Sequence, residues 1–167
     1  MKIVRLCAVL LCATAAGYAG HVEAHGDTQS KPGHRGPNLD FVQKPFGQTG
    51  DPKDVSRTIQ VTGRDSMRFD PARIVVRQGE TVRFVFKNAG KLNHESVLGT
   101  MADLKEHAQL MKKFPGMEHD EPYMVHAAPG QSGEMIWKFT ERGEFYFGCL
   151  MPGHFEAGMV GSIVVGP

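Results

Sequence analysis

The chain has 167 residues, with 19 Lys and Arg against 18 Asp and Glu, eight His, nine Met, ten Phe and three Cys. A net charge of +1 excludes the sequence-independent pull toward nucleic acid or anionic membrane that a basic surface provides. The length suits one ordinary domain with a real core, and no phosphate-binding glycine loop, paired-carboxylate arrangement, Ser-His-Asp order or internal repeat stands out.

Residues 1–24 read as a secretory signal peptide. Lys2 and Arg5 supply the charged start, Val4 to Ala16 the apolar run, and Val22-Glu23-Ala24 a cleavage site, with Gly17-Tyr18-Ala19 as the alternative. The run is too short for a comfortable membrane span. Leu11 before Cys12 is wrong for lipid attachment, so the expectation is a periplasmic protein without a membrane anchor. Loss of this segment takes Lys2, Arg5 and Glu23 and leaves the charges balanced. It also takes Cys7 and Cys12, so Cys149 stays without an intramolecular partner.

Residues 25–56 are rich in Gly, Pro, Gln, Lys and Asp and almost free of aliphatic side chains. Such a composition buries too little to offset its ordering entropy, which predicts a flexible arm, with Phe41 and Phe46 available to tack it to the domain. Cleavage after Ala24 would make His25 the new N-terminus, where amine and ring together can chelate copper. The alternative is an unstructured tail whose histidine is incidental.

From Arg57 to the end the pattern is that of strands. Thr58 to Val61 alternates, Arg64 to Ser66 is a turn, Arg73 to Arg77 is a strand, and Thr81 to Phe86 is the clearest alternating run. Leu92-Asn93-His94-Glu95-Ser96-Val97 follows a turn at 87–91. Short strands at this spacing predict an all-β Greek-key sandwich over residues 57–167.

Residues 100–134 are longer than a sandwich connection needs. Met101, Leu104, Ala108 and Met111 share a face at helical spacing, and Pro115-Gly116 ends the helix. Beyond it, Met117, His119, Met124 and His126 fall within ten residues. Soft thioethers mixed with imidazoles suit copper, so these four are the candidate second, weaker copper site. The competing reading packs Met117 and Met124 as ordinary core.

Glu134 to Phe139 is the next strand and carries the single Trp. The final stretch, Gly143 to Val165, opens and closes as strands around a loop holding Cys149, His154 and Met159, each five residues from the next. Singly, a buried Cys is a small hydrophobe and a Met is gap filler. Together with a His in a Gly/Pro loop they form three of the four donors of a blue-copper centre, which has two His and one Cys with a distant Met. The second His must come from elsewhere, and His94 is the candidate.

The run Cys149-Leu150-Met151-Pro152-Gly153-His154 followed by Met159 resembles the C-terminal copper loop of the cupredoxins, azurin-like proteins and rusticyanin in particular. The approach strand Gly143 to Cys149 and the segment Phe69 to Val82 resemble the same family. The resemblance covers about Arg57 to Gly166. It implies a cupredoxin β-sandwich with a short helix in a long inserted connection, and one mononuclear type 1 copper. It assigns His94, directly after the alternating strand, as the first ligand. Multicopper oxidases need His on each side of the Cys, where this chain has Gly148 and Leu150; a dinuclear site needs a second loop Cys, which is absent. Cupredoxins commonly place Asn or Ser after the first His, to tie the two ligand loops together. Glu95 stands there instead, so the expectation is an altered tie, stronger Met159 binding and a tetragonal, greener site.

With four protein donors no open position is left for a substrate, so an enzyme is not expected, Cu(I) oxidation being the exception kept in view. Two roles remain. One is an electron shuttle between redox partners. The other is copper tolerance, in which the protein binds copper, buffers it and handles its redox state, alone or with an efflux or oxidase partner. The His/Met-rich insertion and the His25 arm favour the second, and the whole resembles the secreted bacterial copper-tolerance cupredoxins of the CopI type.

Overall fold

The computed structural model describes residues 41–115 and 120–167. Eleven strands and one α-helix are formed among them. One sheet has the order β1-β2-β9-β6-β3-β4, from β1 (Gln43–Lys44), β2 (Gly47–Thr49), β3 (Arg57–Arg64), β4 (Arg68–Asp70), β6 (Thr81–Asn88) and β9 (Ser132–Lys138). The other has the order β5-β11-β10-β7-β8, from β5 (Arg73–Arg77), β7 (His94–Gly99), β8 (Met124–Ala127), β10 (Gly143–Gly148) and β11 (Val160–Gly166). Both are mixed: β3 runs parallel to β6 and β5 parallel to β11, while the other pairings are antiparallel. This is the expected all-β sandwich with a single helix in the long connection.

Alternation explains the layers. Along β6, Val82, Phe84 and Phe86 point inward, and along β11 Gly161, Ile163 and Val165 do so. The main core joins them to Trp137, Phe139, Phe145, Phe147, Cys149 and Met159. Phe69 packs on Phe147 at 5.0 Å between ring centroids and on Phe86 at 6.0 Å.

Regular structure is present within the stretch whose composition predicts an arm. The β1–β2 hairpin pairs with β9, and Phe46 is buried against Trp137 with 5.2 Å between ring centroids. The Trp137 indole N–H donates to the Phe46 carbonyl at 3.0 Å. One aromatic side chain and a borrowed sheet edge hold this segment in spite of its polar sequence. Phe41, the other expected tack, is 68% exposed. Residues 43–56 therefore belong to the sandwich rather than to an arm. Residues 1–40, which hold the expected signal peptide, His25 and the start of the expected arm, lie outside the described residues.

Helix α1 (Met101–Lys113) opens on a capping box. Asp103 donates its backbone N–H to the Thr100 hydroxyl, and the Thr100 N–H donates to the Asp103 carboxylate. Leu104, Ala108 and Met111 are buried as the helical spacing predicts. They form a second apolar cluster with Val97, Met124 and Leu150, flanked by Tyr146 and Phe155. Two of those residues belong to the Cys149 loop, so the helix roofs that loop. Among the described residues no helix is long and apolar enough to cross a membrane.

Candidate metal centre

The loop 149–159 is the connection of the β10–β11 hairpin. Its ends are closed by the Cys149 N–H donating to the Met159 carbonyl and the Met159 N–H donating to the His154 carbonyl, each at 3.0 Å. β10 also pairs with β7, in the register Tyr146–Gly99, Phe147–Leu98 and Gly148–Val97. Carrying that register past Gly148 lays Cys149 to Met151 alongside Ser96 to His94. Sequence positions more than fifty apart therefore meet because two neighbouring strands end at the same edge.

His94 is delivered by its own turn. The Asn88 amide donates to the carbonyls of Leu92 (2.7 Å) and Ala127 (2.9 Å), and its oxygen accepts from the Gly90 N–H at 2.8 Å. The His94 ring is buried. Its Nδ1 lies 3.9 Å from the Cys149 Sγ, and the Nδ1 of the half-buried His154 lies 3.3 Å from the same sulfur. One ligand atom from each of His94, Cys149 and His154 lies within 4.8 Å of the others. Met159 is fully buried at the base of the loop.

Burial pushes the Cys149 thiol up to about 12; the backbone N–H of Glu95 opposes this, and the charge of Glu95 adds to it. A metal that binds there must displace the proton. His154 is held below its ordinary value, by desolvation first and by the charge of His94 second, which keeps its ring neutral and its lone pair available. A thiol and two imidazoles converging on one small space form a soft, nitrogen- and sulfur-rich donor set that fits copper.

Four further side chains hold the loops. Glu95, 1% exposed, accepts from the Leu150 N–H with Oε1 at 2.7 Å, and its Oε2 lies 3.0 Å from the His126 Nδ1. The tie between the loops is thus altered in the residue that makes it: the longer Glu side chain reaches across to the Leu150 amide itself. Arg68 donates from Nη1 to the Ala157 carbonyl at 2.8 Å, passing over Gly158, whose φ is +91° and where a Cβ would lie 3.0 Å from the guanidinium. Lys112 on α1 pairs with Glu156 at 2.6 Å. Asp65 lies 2.9 Å from the His94 Nε2. The roles of Asp65, Asn88 and Arg68 gave no sequence signal, since each reads as an ordinary turn or strand-end residue.

The residues 55–166 match the family described as copper binding proteins, plastocyanin/azurin family. The chain belongs to this cupredoxin family. A relative from Rubrivivax gelatinosus named copper-resistant cuproprotein CopI is 51% identical over 158 residues, spanning 95% of this chain and 92% of the relative. A protein of the same name from Pseudomonas aeruginosa is 37% identical, over 73% of this chain and 83% of its own length. Among solved structures, reduced auracyanin from Roseiflexus castenholzii superposes with a TM-score of 0.58 at 22% identity, covering 68% of this chain and 99% of that one. The last shows the shared fold alone.

In this cupredoxin the members of the expected second cluster have other surroundings. Met124 is 3% exposed inside the apolar cluster beneath α1, as the core reading of that residue supposes. His126 reaches the surface from β8 and contacts Glu95. Met117 and His119 lie outside the described residues.

Proposed function

We propose that this protein binds one copper through His94, Cys149 and His154, with the Met159 thioether as the fourth donor, and that it serves copper tolerance in the periplasm. The observation that carries the reading is the convergence of the three ligand atoms in a buried pocket of a cupredoxin fold. The 51% identical relative named a copper-resistant cuproprotein supports the cellular role. Bound copper would supply one-electron exchange and an intense thiolate-to-metal absorption. The chain's own residues supply a thiol that must lose its proton, two imidazole rings, and a loop held at Leu150, Glu156 and Ala157. Four protein donors leave no open position for a substrate, so the function is binding and redox handling rather than catalysis.

Two experiments test this reading. Cys149→Ala is expected to abolish the visible absorption of the copper-loaded protein, and a variant that stays coloured overturns the ligand assignment. Deletion of the gene is expected to make cells sensitive across a copper series. Normal tolerance with a respiratory defect would instead favour an electron shuttle, a role that the half-buried His154 at the rim of the site would also serve.

A further inference from the structure

We propose that Asp65 is a positioning residue of the copper centre, fixing the tautomer and plane of the His94 ring and making that ring a stronger donor that favours the oxidised metal. The inference rests on the reading of His94 as a ligand. His94 presents its two ring nitrogens to different partners: Nδ1 faces the Cys149 sulfur, while Nε2 lies 2.9 Å from Asp65 Oδ1. A carboxylate only accepts, so a hydrogen sits on Nε2, which leaves Nδ1, on the side of Cys149 and His154, as the nitrogen able to bind a metal. The ring has no other orientation that keeps both contacts, and it is sealed from water.

The carboxylate is itself held in place. Oδ2 accepts from the Lys91 N–H at 2.7 Å and Oδ1 from the Leu92 N–H at 3.3 Å, so the segment leading into His94 wraps around it. Gly90 completes the cradle, because a Cβ at that position would collide with Asp65 Oδ1. One acidic side chain from the β3–β4 turn therefore sets both the path of the backbone entering the site and the hydrogen position on the ring that enters with it. A carboxylate hydrogen-bonded to the remote nitrogen of a metal-binding imidazole raises the basicity of the ligating nitrogen, and loss of such a partner commonly costs about 10–100-fold in metal affinity. A more basic, more negative ring stabilises Cu(II) more than Cu(I).

The test uses the full chain with Asp65→Ala and Asp65→Asn, loaded with copper, and reads the reduction potential by optical titration. In D65A the preference for Cu(II) over Cu(I) is expected to fall by about tenfold or more, a rise in potential of about 59 mV per tenfold. D65N keeps one oxygen that can accept from Nε2 and from the Leu92 N–H, while losing the charge and the acceptor for the Lys91 N–H, so a smaller rise in the same direction is expected. A purely structural role for Asp65 would lower the unfolding midpoint and leave the potential where it was. If D65A does not fold, D65N decides alone. An unchanged or lowered potential in D65N, with the thiolate-to-copper band intact, overturns the role of Asp65 and leaves the ligand assignment standing. Absence of that band in the wild-type protein overturns the ligand assignment instead.

Discussion

Replacing Glu95 by Ala removes a side chain that fastens the His94 segment to the Cys149 loop. Its Oε1 is the acceptor for the Leu150 N–H, the amide next to the Cys149 sulfur, in a region closed to water. An unsatisfied buried donor costs about 1–3 kcal/mol. Loss of the Oε2 contact to His126 and the void left by a wholly buried side chain bring the expected loss to about 2–4 kcal/mol. Urea unfolding of the metal-free protein measures it: with a slope of about 2 kcal/mol/M the midpoint should fall by about 1–2 M. Glu95→Gln keeps an acceptor within reach of Leu150 and should recover most of the loss. Glu95→Asn, with a shorter side chain, is the comparison for colour, and we expect its copper-loaded spectrum to move toward a trigonal blue form. E95A within about 0.5 kcal/mol of the wild type would refute the reasoning, because surface changes alone stay in that range.

Other expectations follow from the same contacts. Phe46→Ala should destabilise the domain by about 3–5 kcal/mol, measured by thermal or urea unfolding, since its buried ring packs on both Trp137 and Tyr123. In the metal-free protein Cys149 should resist alkylation at neutral pH until the chain is unfolded, because the thiol is buried and pushed up to about 12; rapid labelling of the folded protein would contradict this. His154 has a folded-state value below its unfolded one, so the unfolded chain binds the extra proton. Its contribution to the stability of the metal-free protein should be present above about pH 6.5 and fade as the pH falls below that. His154→Gln should flatten that part of the stability profile.

Much of the sandwich was legible because alternation is a local property. Thr81 to Phe86, Arg73 to Arg77 and the Met101–Met111 face were each readable from their own neighbours, and the Cys149-His154-Met159 spacing carries its donors within one loop. The early hairpin was not, because its stability comes from β9 and from the Phe46–Trp137 contact, neither of which its own composition reports. β8 was hidden for a similar reason. Met124 and His126 looked like soft donors in sequence, whereas pairing with β7 turns one into the cluster under α1 and the other toward Glu95. The Glu95 tie shows the limit of reading by residue type: the residue type signalled an altered tie, but only the structure shows that this side chain makes it, to the Leu150 amide.

The roof that α1 places over the Cys149 loop has a consequence for how such proteins can be recombined. Leu150 and Phe155 face Leu104, Ala108 and Met111, and Glu156 meets Lys112. Transplanted into a host sandwich that lacks this helix, the loop would carry its donors but expose two large apolar side chains and an unpaired acid. The helix and the loop thus pack as one unit, and sequences that vary at Leu150 or Glu156 should vary in step at Met111 or Lys112.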